Sequence, residues 1–262
     1  MRARRVAHGC ASALLALALP ARALVVDGDP EAALREPAPG SPVASVAKRG
    51  GTSAVYLGRG WVITAGHVGA GEIALGGASY PPVPGSWQPL RGGGSPPDLG
   101  VFRVDPAPDL PPLEIARRGP EVGEALLLVA CGYGRGERIE WEGRVGFRWD
   151  PVNVRRWGRN RVAAKGVVVP GSGVSTTAFA TLFTLGDPEE AQAALGDSGG
   201  GAFVLRGGSW QLAGILFSVQ NHPGQPPQTS LEGNSSYAAD LSRYREEIEA
   251  LIGRRDEAPP AS

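Results

Sequence analysis

The 262-residue chain has few of the residues that carry redox, metal or staple chemistry: two cysteines, one methionine and three histidines. Two cysteines allow at most one disulfide, which excludes a small disulfide-stapled scaffold. Three scattered histidines without an HExxH segment give little basis for a zinc hydrolase, and no metal or other cofactor is expected. Neither sign of charge is in excess: 26 basic residues face 26 acidic ones. That balance supplies no field to gather nucleic acid, and no nucleic-acid partner is expected. The clusters Arg117–Arg118 and Arg155, Arg156, Arg159 and Arg161 fit a solvated surface. No stretch of 18 uninterrupted apolar residues occurs, so stable membrane insertion is not expected either. The run Gly132-Tyr133-Gly134-Arg135-Gly136 is no nucleotide fingerprint, because its third glycine is misplaced.

Glycine (39) and proline (24) are plentiful and together approach a quarter of the chain. Both interrupt long helices and favour short strands joined by turns. The first residues, MRARR, are basic, and residues 10–19, CASALLALAL, are apolar but too short to span a bilayer. Pro20 and Ala21-Arg22-Ala23 then complete the pattern of a cleavable export signal over 1–23. Its removal takes Arg2, Arg4, Arg5 and Arg22, leaving 22 basic against 26 acidic residues. It also removes Cys10, so Cys131 stands alone, and its apolar context (LLLVA before it) suits a buried strand residue. The mature chain is expected to be a monomer, secreted or periplasmic.

Short apolar runs bounded by glycine or proline mark strands near 43–47, 53–57, 61–64, 99–104, 125–131, 139–147, 162–169, 178–185, 201–205 and 210–219. Residues 77–97 and 220–235 lack periodicity and are expected to be loops. The proline-rich joint at 106–112 is the best boundary, dividing a half over 24–110 from one over 111–252. Leu241, Tyr244, Ile248 and Leu251 or Ile252 fall at helical spacing and predict a C-terminal helix, with Asp240 or Ser242 as cap. Residues 253–262 are polar and are expected to form a flexible tail.

Three segments carry candidate chemistry. In Gly196-Asp197-Ser198-Gly199-Gly200 a serine is set among glycines, where a tight turn can present its hydroxyl and the N–H groups of Gly196 and Ser198 can face an oxyanion. Taken alone, GDSGG also fits a simple β-turn. A serine needs a base, and His67, in TAGHV at the end of a strand, suits that role better than His222 in its Gly/Pro-rich loop. Asp98 opens the apolar strand LGVFRV and can orient the imidazole, although strand-start aspartates commonly bond only their own backbone. The order is His, Asp, Ser, each at a strand end.

With those residues in place, the chain resembles the trypsin- and chymotrypsin-like serine peptidases, as a bacterial-type secreted member without disulfides. TAGHV at 64–68 is similar to the family's TAAHC, DLGVF at 98–102 to DIALL, and GDSGG at 196–200 matches outright. The resemblance covers about residues 25–252. It implies two antiparallel six-stranded β-barrels with a C-terminal helix, the first carrying His67 and Asp98 and the second Ser198. It implies a serine endopeptidase acting on peptide or protein substrates through an acyl-enzyme. His67 would be the general base, Asp98 its orienting group, Ser198 the nucleophile, and the Gly196 and Ser198 amides the oxyanion hole. By the same resemblance Gln192 falls at the base of the substrate pocket, with Ala193, Phe217, Ser218 and Val219 as walls. An uncharged small-to-medium apolar side chain is expected there, although an acidic one assisted by His222 remains open. Asp197 would pair with the mature N-terminus, and Val25-Val26-Asp27-Gly28 is similar to the family's IVGG start. Cleavage after Leu24, insertion of Leu24 itself, or a different organisation of the pocket are all compatible with that segment. The competing expectation is a binding protein on the same fold that has lost catalysis.

Overall fold

The structure is a computed structural model that describes residues 23–253. The expected export signal lies outside the described residues apart from Ala23, and so does the polar tail beyond Gly253. In chain order the strands are β1 (Val25–Val26), β2 (Val46–Arg49), β3 (Thr52–Gly58), β4 (Trp61–Ala65), β5 (Ile73–Leu75), β6 (Ala78–Tyr80), β7 (Gln88–Pro89) and β8 (Leu99–Arg103). They continue with β9 (Ala125–Ala130), β10 (Gly134–Trp141), β11 (Arg144–Asp150), β12 (Arg156–Pro170), β13 (Ser175–Leu182) and β14 (Ala191–Gln192). The last are β15 (Gly201–Arg206), β16 (Ser209–Gln220), β17 (Thr229–Leu231) and β18 (Ser235–Asp240), and helix α1 (Arg245–Ile252) ends the described chain.

The expectation of two six-stranded barrels is corrected by the topology. Among the described residues only one barrel closes, in the order β12-β13-β18-β16-β15-β9, while the first half forms an open seven-stranded sheet, β6-β5-β2-β3-β4-β8-β7. The edges explain why. β6 has three residues and β7 two, and Pro81, Pro82 and Pro84 lie between them. Proline has no N–H to donate, so this connection cannot zip the edges together. Val83 N–H to Arg103 O (2.8 Å) and Asp105 N–H to Pro81 O (3.2 Å) are what it contributes instead.

Strand β9 shows how sheet and barrel are joined. Leu126, Leu128 and Ala130 point into the barrel with Val162, Phe179, Ala202 and Ala238. Leu127, Val129 and Cys131 point the other way, onto Val55, Ile63, Leu99 and Val101 of the sheet. Side chains alternate across a strand, so a strand buried on both faces reads as one unbroken apolar run. At about 1.5–3 kcal/mol for each fully buried large aliphatic side chain, this shared core holds the two halves in register. The candidate site residues sit along its seam, where Ser198 O meets Ser53 N–H and Asp98 N–H meets Thr176 Oγ1.

Several expected elements shift. Residues 139–147 are a hairpin turning at Glu142-Gly143, where Glu142 has φ +48° and Gly143 φ +73°. Residues expected to be loops hold β6 and β7, and β17. The C-terminal segment opens as a 3-10 turn over Leu241–Arg243, with Asp240 accepting from Ser242 N–H, before α1 begins. Arg156, expected on a solvated surface, is fully buried and donates to Pro30 O at 2.8 Å. Among the described residues, no helix is long and apolar enough to cross a membrane.

Candidate active site

His67 lies just past β4. Ala65 pairs with Leu99 across the antiparallel β4–β8 ladder, so the end of one strand meets the start of the next. The Val68 N–H closes a tight turn onto Ala65 O at 3.0 Å, which swings His67 toward Asp98. Asp98 holds the histidine at two points: the His67 backbone N–H donates to Oδ1 at 2.7 Å, and His67 Nδ1 lies 2.6 Å from Oδ2. A Cβ on Gly66 would stand 2.8 Å from Asp98 Oδ1, so glycine there permits the approach. Thr176 Oγ1 accepts the Asp98 N–H at 2.9 Å and ties the pair to the barrel. The His67 side chain is 49% exposed and that of Asp98 13%. The hydrogen bond to Asp98 raises the His67 pKa above its ordinary value, partial burial opposes this, and the charge of Asp98 adds to it.

Ser198 reaches the same place from the barrel. Its carbonyl accepts the N–H of Ser53 in β3 at 2.9 Å. Gly199, at φ +88°, lies so close to the sheet that a Cβ would fall 1.9 Å from Ser53 O and 2.3 Å from Thr64 Oγ1. Thr64 is three residues before His67. The serine turn is therefore seated on the strand pair that delivers the histidine. No hydrogen bond joins the Ser198 hydroxyl to His67 among the described residues.

The N–H groups of Gly196 and Ser198 have no acceptor among the described residues, whereas those of Asp197, Gly199 and Gly200 are all bonded. The Leu195 carbonyl accepts the Tyr133 N–H at 2.7 Å. A trans peptide points its N–H opposite its C=O, so this bond turns the Gly196 N–H away from Tyr133. Two unspent donors in one turn suit a developing negative oxygen.

Beneath the turn, Asp197 is fully buried. Its carboxylate accepts the N–H groups of Ala194 (2.7 Å) and Gly132 (2.8 Å), and the Leu24 backbone adds a smaller stabilising pull on its charged form. Burial pushes its pKa up to about 7, against the opposing pull of those backbone donors and of Arg156. Leu24 and β1 are themselves buried. β1 pairs with β14, Asp27 and Gly28 donate to Glu190 O and Pro188 O at 2.9 Å each, and the Arg135 guanidinium caps the Asp27 and Gly28 carbonyls.

Ala193, Phe217, Ser218 and Val219 come together with Ser198, Trp149, Ala194, Leu195 and Leu216 around a cavity of about 240 Å³. Gln192 does not line it. Its side chain is sealed in the interior at 1% exposure, on the face it shares with its ladder partner Val25. A larger cleft of about 930 Å³ has His67 and Asp98 in its lining. His222 stands apart, its Nε2 2.8 Å from Glu232 O. Among the described residues, no three His, Cys, Asp or Glu side chains group as metal ligands. Cys131 is buried beside the turn, and burial pushes its pKa up to about 12, so it is a packing residue and not a nucleophile.

Sequence reasoning passed over Ser53. It is completely buried, its N–H holds Ser198 O, and its hydroxyl donates to Gly196 O (3.2 Å) while accepting Cys131 N–H (2.8 Å). The signal was there: a lone serine in the apolar run SAVYL is a buried polar group that needs partners.

No family model matches the chain, and no curated protein matches it. Solved structures do. The active form of the Rv3671c protease from M. tuberculosis aligns with TM-score 0.54 at 15% identity, covering 95% of this chain and 97% of that one. Neuropsin, a serine protease of mouse brain, aligns with TM-score 0.56 at 18% identity over 83% of this chain and 98% of its own. A mutant of human heparin binding protein (CAP37) aligns with TM-score 0.57 at 14% identity, covering 84% and 96%. These distant likenesses show a chymotrypsin/trypsin-like fold.

Proposed function

On the premise of that fold, we propose that this chain is a serine endopeptidase working through His67, Asp98 and Ser198. The observation that carries the reading is the two-point grip of Asp98 on His67, at the end of the very strand on which the Ser198 turn is seated. With Nδ1 held by Asp98, Nε2 is the ring nitrogen left to accept a proton. Ser198 Oγ attacks the substrate carbonyl as its proton passes to His67 Nε2. The carbonyl oxygen becomes negative and is met by the Gly196 and Ser198 N–H groups. Collapse breaks the C–N bond, and His67 returns the proton to the departing amine. Water then repeats the sequence on the acyl-serine and restores the hydroxyl. No cofactor takes part in this scheme.

In the same reading, residues 1–23 are an export signal, the mature protein acts outside the cytoplasm as a monomer, and residues 24–110 and 111–252 are its two functional halves. Leu24, and not Val25, is the residue whose backbone stabilises the charged form of Asp197. Cleavage after Ala23 would turn that amide into an ammonium against a buried carboxylate, which supports Leu24 as the mature start. The small cavity suits an uncharged, small-to-medium side chain.

A second reading, a catalytically inactive binding protein, is favoured by the missing Ser198–His67 hydrogen bond and by likeness to a structure named for heparin binding. A fluorophosphonate probe separates the two. We expect labelling of the mature protein at Ser198, lost in Ser198→Ala and His67→Ala. A folded, correctly processed protein that stays unlabelled supports the binding reading.

A further inference from the structure

His67 and Ser198 come from different halves of the molecule, so the reach between them is set by whatever joins their two turns. Ladder register brings His67 to Asp98, but it does not fix how that pair stands to the serine. In the sheet order β2-β3-β4-β8, Asp98 holds the histidine from the β8 side of β4. Thr176 ties Asp98 to the barrel at β13, not at the serine turn. The serine turn is seated on β3, on the other side of β4.

The turn between β2 and β3 touches both. Gly50, at φ +56°, reverses the chain, and the Thr52 hydroxyl closes it onto Arg49 O at 2.7 Å. Against one side lies the serine turn. Ser53 N–H donates to Ser198 O at 2.9 Å, the Ser53 hydroxyl donates to Gly196 O at 3.2 Å, and a Cβ on Gly196 would stand 2.5 Å from Gly51 O. Asn153 Nδ2 donates to Gly51 O (3.1 Å) and to Cys131 O (3.2 Å), so the barrel grips the turn a second time. Against the other side lies the loop that carries the histidine. There Arg49 Nη2 donates to Ala70 O, three residues past His67.

Gly71 makes room for that contact. A Cβ there would fall 2.6 Å from Arg49 Nε and 2.8 Å from its Cζ. The Gly71 φ lies outside the left-handed region, so the closeness of the guanidinium calls for glycine, not backbone freedom. Cys131 is the one cysteine among the described residues, so no disulfide fastens the histidine loop within them. Arg49 Nε is buried with no acceptor among the described residues. A buried polar atom left unpaired lowers stability, so folding alone does not ask for an arginine at this position.

We propose that Arg49 is a positioning residue: through the β2–β3 turn it locks the His67 loop to the Ser198 turn and so sets the reach over which the proton passes. The inference rests on the peptidase reading and adds to it a residue outside the triad, the oxyanion turn and the small cavity.

The test compares the mature protein with Arg49→Met, Arg49→Lys and Gly71→Ala on one peptide substrate. Arg49→Met keeps an unbranched stem but gives up the bond to Ala70. It should lower kcat by about ten- to a hundredfold and leave KM nearly unchanged, because a shift of about 1 Å between reacting groups is felt in the chemical step and not in the substrate cavity. Its melting temperature should stay level or rise, since the unpaired Nε is gone. Arg49→Lys, whose ammonium can still donate to a carbonyl, should recover part of the rate. Gly71→Ala displaces the guanidinium, so it should lower kcat by itself but add nothing to Arg49→Met. The pH midpoint should stay at its wild-type value throughout, because Asp98 still sets it. A wild-type kcat in Arg49→Met, a loss no larger than the fraction unfolded by circular dichroism, or losses in the two variants that multiply, overturns the positioning role and leaves the peptidase reading standing. Folded wild-type protein that a fluorophosphonate never labels overturns both.

Discussion

The open sheet and the closed barrel deliver their parts of the site by different means. The sheet presents His67 and Asp98 through register alone: Ala65 faces Leu99 in the ladder, and a tight turn does the rest. The barrel presents Ser198 on a turn outside any ladder. Positive φ at Gly196 and Gly199, the Ser53 hydroxyl and a buried carboxylate hold it. The first device is local and tolerant. The second depends on close approach from several directions, and it should be the more fragile of the two.

The largest expected effect breaks the barrel's contribution outright. Ser198→Ala should reduce hydrolysis by about 10⁴-fold or more with little change in thermal stability, measured by initial rates and calorimetry. Asp98→Asn tests the sheet's contribution. Because the Asp98 bond raises the His67 pKa, wild-type activity should climb as pH rises through that raised value, where the imidazole loses its proton. In Asp98→Asn the midpoint should move to lower pH, and the plateau should fall by roughly 10²–10⁴-fold. A pH–rate profile unchanged in midpoint would show that the pair does not set the base.

The contrast in fragility sharpens with glycine substitutions. Gly199→Ala places a Cβ 1.9 Å from Ser53 O and should cost about 3 kcal/mol or more, together with the active turn. Gly76→Ala, at φ +60° in the sheet's β5–β6 turn and facing open space, should cost only about 1 kcal/mol. Urea midpoints of the two variants check this, and equal losses would erase the distinction.

A smaller effect concerns Asp197. Its folded pKa stands near 7 against an ordinary 3.8, so the folded chain binds more protons than the unfolded one between those values. Stability should therefore fall as pH rises across that window while Leu24 remains an amide. A chain beginning at Leu24, with an ammonium against the carboxylate, should show a flatter profile. The least effect is expected at Cys131, which should resist thiol reagents in the native protein and react on unfolding.

Much of the site was legible because its elements are short and local. GDSGG advertises a turn that only glycines allow, and TAGHV and DLGVF each end or begin an apolar strand. The run ALLLVAC marked a strand with a buried cysteine, and the structure adds that β9 is covered on both faces. Other features depend on partners far along the chain. Arg156 looks like one of a surface cluster until the N-terminal segment folds over it and offers Pro30 O. Gln192, placed by resemblance at the pocket base, is shut away on the Val25 side of β14. Nothing in residues 77–97, 171–174 or 247–251 alone announces a shared cleft.

The amino-acid order by itself determined where strands break, which turns need glycine, and which serine, histidine and aspartate stand at strand ends, because backbone freedom and side-chain alternation are properties of neighbours in the chain. Tertiary structure alone decided that the first sheet stays open, that Ser53 anchors the serine turn, and that Asp197 lies fully buried beneath it. Closure, burial and pairing of polar groups depend on which distant surfaces meet, and a linear pattern carries no distance between them.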